Sequence, residues 1–168
     1  MANVNPYQAP AAAVADAGDA VQEVKVFAVA GRLGRVRYLA YGVAFYLLFA
    51  VVILLSSLLD MVGVVLVILG WLGLLVMAFM LTIQRCHDFS SSGWLSLLML
   101  IPFVNLMFLF IPGTDGPNRF GAPTPPNTVG VLILAWVFPA IMVIGIIAAI
   151  ALPAYVDYQK RAGQVQQR

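Results

Sequence analysis

Charged residues are scarce in this chain of 168 residues. They make up 10% of it, whereas they are about a quarter of an ordinary soluble domain. Hydrophobic residues make up 62%, and the mean hydropathy is +0.98. A soluble globule of this composition would expose large apolar patches, which soluble monomers avoid. The sequence therefore predicts a protein that lies in a lipid bilayer.

Cysteine and histidine are almost absent, with Cys86 and His87 the single instance of each. A lone thiol excludes an internal disulfide, and the two residues supply no metal-ligand cluster. The net charge is +2, and the nine basic residues flank hydrophobic runs instead of forming the patch typical of nucleic-acid binding. We expect no cofactor, no metal and no nucleic-acid partner, and the lack of a catalytic constellation predicts that the chain is not an enzyme.

Long uncharged runs are abundant. There are four of them, at residues 38–59, 61–83, 94–111 and 129–152. A helix needs about 20 residues to cross a hydrocarbon core of about 30 Å. The third run is the shortest and contains Pro102 and Asn105, so a re-entrant segment is the alternative; a kinked span is favoured because re-entrant backbone must be buried in protein. The predicted fold class is an all-α polytopic membrane protein, with four transmembrane helices and short loops.

The remaining segments frame these runs. Residues 1–20 are rich in Ala and Pro and are predicted to form a disordered tail, and residues 21–37 form a basic juxtamembrane segment. Residues 38–127 form a three-span domain, in which Asp60 separates the first two spans as a helical hairpin. Residues 128–168 hold the fourth span and an amphipathic tail.

Basic residues in short flanks stay on the cytoplasmic side of a membrane. With four spans, eight basic residues share one side and Arg119 stands alone on the other, so both termini are predicted to be cytoplasmic. If the third run were re-entrant, the count would become six against three.

The loop after the second span carries a candidate cluster of polar residues. Arg85, His87 and Asp88 lie within four positions of each other. A histidine beside a carboxylate can shuttle protons, but structural roles at a helix end are favoured here. Because an unpaired acid is costly at a low-dielectric boundary, we expect Asp88 to pair with Arg35, Arg37 or Arg85.

A second motif, formed by Asn118, Arg119 and Gly121, lies in the turn-rich loop before the fourth span. With Asp115, this loop offers too few oxygen ligands for calcium. A third spanning helix of 18 residues would place the motif roughly 27 Å from Asp88. No contact between the two motifs is therefore expected.

Several short motifs between the apolar runs recur in a known family. They are Gly31-Arg32-Leu33-Gly34-Arg35-Val36-Arg37-Tyr38, Gln84-Arg85-Cys86-His87-Asp88 with Gly93-Trp94, Ile101-Pro102, Pro112-Gly113, and Asn118-Arg119-Phe120-Gly121 with Pro123. In this order, over about residues 26–127, the chain resembles the domain of unknown function 805 family, the YhaH-like small inner-membrane proteins of bacteria. The resemblance implies a multi-pass protein of the bacterial inner (plasma) membrane and brings no activity with it.

A C-terminal stretch, at about residues 144–162, is similar to the N-terminal helix of type IV pilins. The pilin pattern has a glutamate where this chain has Trp136, and no Gly-Phe processing site leads the helix. The chain is therefore predicted to escape prepilin peptidase. In the four-span topology this helix also runs opposite to a pilin helix.

These observations favour a structural or interaction component of the cell envelope. Its predicted partners are the lipid bilayer and either another membrane protein or a second copy of the chain. The alternatives are a subunit of a small transporter or channel, which would need polar residues along a path, and an accessory protein of a type IV pilus-like system. An enzyme using His87 and Asp88 would lack the other half of its site.

Overall fold

The computed structural model describes residues 21–166, whose regular structure is helical. The α-helices are α1 (Arg35–Ser56), α2 (Asp60–Asp88), α3 (Met107–Phe110) and α4 (Val129–Gln166), and two 3-10 segments cover Gly93–Leu100 and Val104–Leu106. Within the described residues there is no strand, and the expectation of an all-helical chain is confirmed. The predicted tail at residues 1–20 lies outside this range.

Within residues 21–166, three helices are long and apolar enough to cross a membrane: Arg35–Ser56, Asp60–Asp88 and Val129–Gly163. They coincide with the first, second and fourth predicted spans. In lipid, every backbone polar group must be paired within the segment, so a long apolar run becomes a helix. Most of each helix surface is left uncovered by the rest of the chain, which is the surface that lipid would contact.

A tight turn joins α1 to α2. Ser57 donates its backbone N–H to the Ile53 carbonyl at 3.1 Å and its hydroxyl to the Leu54 carbonyl at 2.6 Å. Gly63 of α2 packs directly on this turn, since a Cβ there would lie 1.9 Å from the Ser56 carbonyl oxygen. Asp60 opens α2, where a negative charge is favourable at a helix N-terminus.

Residues 93–110 do not form the predicted third spanning helix. The 3-10 segment Gly93–Leu100 rises only about 16 Å at about 2.0 Å per residue, and α3 is a single turn. Between them, Pro102 has no N–H to donate, and Phe103 adopts a φ of 65° that a bulky residue rarely occupies. The chain turns back here, so four spans are not confirmed.

Helix α4 begins at the same end of the molecule as α1. Arg37 of α1 donates to the Pro126 carbonyl at 2.7 Å, three residues before α4 starts. The two helices then pack along each other. At 38 residues, α4 is about 57 Å long and continues well past the hairpin. The expectation that both termini share one side depended on four spans, and three candidate spans do not support it.

Candidate functional site

A buried ionic cluster occupies the C-terminal end of α2. We call Arg32, Arg85 and Asp88 the Asp88 cluster. The Asp88 Oδ1 accepts from Nε and Nη2 of Arg32, each at 3.2 Å, and Oδ2 accepts from Nη1 of Arg85 at 2.5 Å. The Arg32, Arg85 and Asp88 side chains are 1%, 0% and 8% exposed. Each charge in the cluster is therefore paired in a place that bulk water does not reach.

Two elements distant in sequence bring the cluster together. Arg85 and Asp88 are three residues apart on α2 and so project from one side of its last turn. Arg32 belongs to the segment before α1, and Gln84 of α2 holds this segment in place through hydrogen bonds. The Gln84 carbonyl accepts from Leu33 N–H at 3.1 Å, and the buried Gln84 amide donates to the Lys25 carbonyl at 3.0 Å and also to that of Ala28.

Arg85 also satisfies the backbone of the returning segment. Its Nε donates to the Phe108 carbonyl at 2.7 Å, and its Nη2 donates to the Ile111 carbonyl. The guanidinium lies 5.4 Å from the Phe89 ring centroid. A one-turn helix leaves its last carbonyls without helical partners, and unpaired carbonyls are costly in a low-dielectric region. Arg85 therefore supplies the donors that allow residues 93–111 to fold back.

Arg32 likewise supplies hydrogen-bond donors to backbone carbonyls, in this case those of the loop before α4. Its Nη1 donates to the Gly116 carbonyl and its Nη2 to the Thr114 carbonyl, both at 2.6 Å. Thr114 is held from the other side, because its N–H and its hydroxyl donate to the Asp88 carbonyl at 2.8 and 3.0 Å. The neighbouring Gly113 lies against the carboxylate, and a Cβ on it would meet Asp88 Oδ2 at 2.3 Å.

The loop motif adjoins this cluster. The Asn118 amide donates to the His87 carbonyl at 2.8 Å and to the Thr114 hydroxyl at 2.9 Å, while its oxygen accepts from Phe120 N–H at 2.8 Å. Asn118 and Gly121 exchange two backbone hydrogen bonds of 3.0 Å, and Gly121 has a φ of 131° that favours glycine. Asn118 therefore joins the loop to α2.

His87 and Arg119 complete this end of the molecule at its surface. The His87 ring stacks on Phe120 with centroids 3.9 Å apart, and its Nδ1 donates to the Gly31 carbonyl at 3.1 Å. The Arg119 guanidinium lies 4.6 Å from the same Phe120 ring and donates to the Ser90 carbonyl at 3.2 Å. The prediction that the loop motif lies far from the end of α2 is wrong, because the third run turns back instead of crossing.

The candidate cluster predicted from the sequence comprises Arg35, Arg37, Arg85, His87 and Asp88, and the structure places these five residues in different environments. Asp88 pairs with Arg85, one of the three expected partners, and also with Arg32, which the prediction omitted. Arg35 is exposed, whereas Arg37 is buried and directed to the loop before α4. Arg32, Arg35 and Arg37 fall within six positions, and nothing in their spacing indicates which of them reaches Asp88.

The arrangement is suited to fastening segments together. All guanidinium nitrogens of Arg32 and Arg85 have acceptors, and both Asp88 oxygens have donors. Among residues 21–166, no three His, Cys, Asp or Glu side chains are grouped as a metal site. The cluster joins the segment before α1, the end of α2 and the loop before α4 in one buried network.

Comparison with known proteins shows that this network lies within a region shared with a protein family. Residues 26–122, more than half of the chain, match a family described as "Protein of unknown function (DUF805)". No curated protein and no solved structure matches the chain. The matched region contains the Asp88 cluster and the loop motif, and it ends before α4.

Proposed function

The chain belongs to the DUF805 family of proteins of unknown function, and from this premise we propose that it is an interaction component of the bacterial cytoplasmic membrane. The region of residues 26–122 is a compact membrane anchor held by the Asp88 cluster. Helix α4 is the element that contacts a partner protein.

The proposal rests on the exposed C-terminal half of α4. About 20 helical residues fill the hydrocarbon core, so this 38-residue helix continues roughly 27 Å beyond it. Tyr155, Val156 and Tyr158 lie in that extension and are 59%, 45% and 70% exposed. Most helical stability in proteins comes from the packing of one helix face against other groups, and grouped exposed aromatic side chains are typical of interfaces. Lipid covers the first part of α4, and we expect a protein to cover the second.

The distribution of basic residues orients the anchor. With three crossings, six basic residues lie at the end where α1 and α4 begin and three in the C-terminal tail. The six are Lys25, Arg32, Arg35, Arg37, Arg85 and Arg119. The three are Lys160, Arg161 and Arg168. The positive-inside rule then favours a cytoplasmic anchor end and a tail on the opposite side, which replaces the expectation of two cytoplasmic termini.

The chemistry of the cluster supports a role without catalysis. A general acid or base must reach its substrate within hydrogen-bond distance, whereas Asp88 is enclosed by two arginines and the loop. A transport path likewise requires polar groups that face water. The hydrogen bonds of Arg32 and Arg85 are instead directed at backbone carbonyls of the same chain.

Photo-crosslinking in cells tests the interaction role. A photoreactive phenylalanine analogue at Val156 is expected to yield protein adducts, and a matched probe at Leu48, an exposed position of α1, is expected to yield none. An adduct of twice the chain mass identifies a second copy, and any other mass identifies a different protein. If neither position gave a protein adduct in cells that express the full chain, the proposed function would be wrong.

A pilus-like accessory role is the second candidate, and the direction of α4 favours it. With three crossings, α4 leaves the basic side of the membrane, as a pilin helix does. The similarity at residues 144–162 lies inside this continuous helix. We expect prepilin peptidase to leave the chain intact, because Trp136 replaces the glutamate and the processing site is missing. A cleaved fragment beginning near Leu132 on a gel would contradict this expectation.

A further inference from the structure

A groove lies outside the Asp88 cluster, between α2 and the first 3-10 segment. Its volume is about 670 Å³, within the range of small-molecule sites. Phe79, Ile83 and His87, each four residues apart, line it along one face of α2. Leu97 lies on the facing wall, and Arg119 lies at the polar end beside His87 and Phe120. The groove therefore has an apolar trough and a cationic end.

The groove lies at the depth of lipid headgroups. Helix α2 has 29 residues and is about 43 Å long, so it exceeds the hydrocarbon core by roughly 13 Å. The polar residues of α2 are concentrated in its last two turns, near His87. Phe79 precedes those turns and His87 lies within them, so the groove extends from hydrocarbon into the headgroup layer. Trp94, 80% exposed at its rim, is typical of that boundary.

The charge of Arg119 is available to a ligand. The ion pairs within residues 21–166 are those of Arg32 and Arg85 with Asp88, and Arg119 takes part in neither. The Arg119 side chain is exposed and donates one hydrogen bond to a neutral carbonyl, that of Ser90. A guanidinium held over an aromatic ring at the membrane surface is well suited to a phosphodiester.

We propose that this groove binds a single anionic glycerophospholipid. Its phosphodiester contacts Arg119, and one acyl chain lies against Phe79, Ile83 and Leu97. Basic pockets beside membrane helices on the cytoplasmic face recognise lipid headgroups in this way. An ethanolamine headgroup would bring a second cation next to Arg119 and is disfavoured. The site is independent of whatever covers α4.

The second ring nitrogen of His87 favours a hydroxylated headgroup. Because the Gly31 carbonyl can only accept, Nδ1 carries the proton of the neutral ring and Nε2 is an acceptor. His87 lines the groove, so Nε2 is the ring nitrogen left to accept from a headgroup hydroxyl. A glycerol headgroup supplies such a hydroxyl together with a net negative charge, so phosphatidylglycerol fits this site.

Native mass spectrometry of the full chain in mild detergent tests the proposal. Dioleoyl-phosphatidylglycerol and dioleoyl-phosphatidylethanolamine are titrated separately, and the first bound lipid is quantified. Phosphatidylglycerol should bind about tenfold more tightly, as expected for one charge-assisted contact. Arg119→Gln should abolish this preference, whereas Arg119→Lys should retain part of it. Leu97→Trp, which fills the trough, should weaken binding of both lipids.

Arg35→Gln is the matched control, because Arg35 is an exposed arginine at the same end of the molecule and does not line the groove. It should leave the preference unchanged, and thermal unfolding should show that each variant is folded. Equal binding of the two lipids to the unaltered protein would overturn the proposal, as would an Arg35→Gln loss equal to that of Arg119→Gln. If inorganic phosphate alone displaced the lipid at similar concentration, the site would recognise free phosphate and the lipid assignment would be wrong.

Discussion

At the scale of single residues, Asp88 is the carboxylate on which the membrane anchor depends. It faces two buried arginines, so the cluster carries one more positive than negative charge, and backbone carbonyls accept the remaining guanidinium hydrogens. Removing one member of a buried ion pair costs more than forming the pair gains, because the partner stays buried and uncompensated. We therefore expect even a conservative substitution in the Asp88 cluster to lower the free energy of unfolding.

Replacing Asp88 with Asn should lower the free energy of unfolding by about 3 kcal/mol, since two buried guanidiniums lose their counter-charge. Thermal denaturation in detergent, followed by size-exclusion chromatography, measures the change. Asp115→Asn serves as the control, because Asp115 is exposed in the loop before α4. Equal losses from the two substitutions would show that the buried pairing contributes nothing.

A double-mutant cycle identifies the partners of Asp88. Asp88→Asn should couple with Arg32→Gln and with Arg85→Gln by about 1–3 kcal/mol, because these side chains share one hydrogen-bond network. With Arg35→Gln the effects should add. Unfolding free energies of the single and double variants provide the measurement. Coupling to Arg35 that matched the coupling to Arg32 would contradict the observed geometry.

At the scale of elements, the segment of residues 93–110 departs most from expectation. It is as apolar as a spanning helix, yet it is built from two 3-10 segments and one α-turn. Such a segment is stable only where its free carbonyls find donors. Arg85 supplies them at Phe108 and Ile111, and the loop that follows then packs on Asp88.

The close approach of this loop makes a glycine necessary. Gly113→Ala should destabilise the protein by about 1–3 kcal/mol, because the new methyl group would overlap the Asp88 carboxylate. Gly73→Ala is the matched control, since Gly73 lies within α2 with open space around it and Ala is the better helix former. Melting temperatures should fall for the first and should not fall for the second. A melting temperature unchanged by Gly113→Ala would argue against the packing of the loop on Asp88.

At the scale of the whole molecule, the three candidate spans within residues 21–166 would give an odd number of crossings. The segment before α1, the end of α2 and the start of α4 then share one side, joined through Arg32, Arg37 and Asp88. In the proposed topology, the far end of α4 is on the other side. This arrangement separates a compact anchor end from a long, exposed helix.

Fusion reporters test this topology. Reporters at the N-terminus and at Asn118 should both indicate the cytoplasm, and a reporter after residue 168 should be active only on the opposite side of the membrane. The expectation rests on six basic residues against three. A cytoplasmic signal from the C-terminal fusion, with Asn118 outside, would instead restore four spans.

Much of the architecture could be predicted from composition and the length of apolar runs. Composition predicts membrane character. The lengths of the apolar runs predict the helices, because an apolar run in lipid must pair its backbone internally. These helices are Arg35–Ser56, Asp60–Asp88 and Val129–Gly163. The sequence also predicts Arg85 as one of three alternative partners of Asp88, because an unpaired acid is costly at that boundary, and the structure contains this pair.

The path of residues 93–110 and the choice of Arg32 were decided only by tertiary structure. An apolar run of 18 residues is compatible with crossing or with returning, and the difference depends on donors from Arg85, which is 23 and 26 positions away from the carbonyls that it pairs. Three arginines near α1 have the same charge and similar spacing, so only the folded path of the chain selects the one that meets Asp88. Local hydropathy indicates which segments lie in lipid, whereas hydrogen bonds between residues distant in sequence determine whether such a segment crosses or turns back.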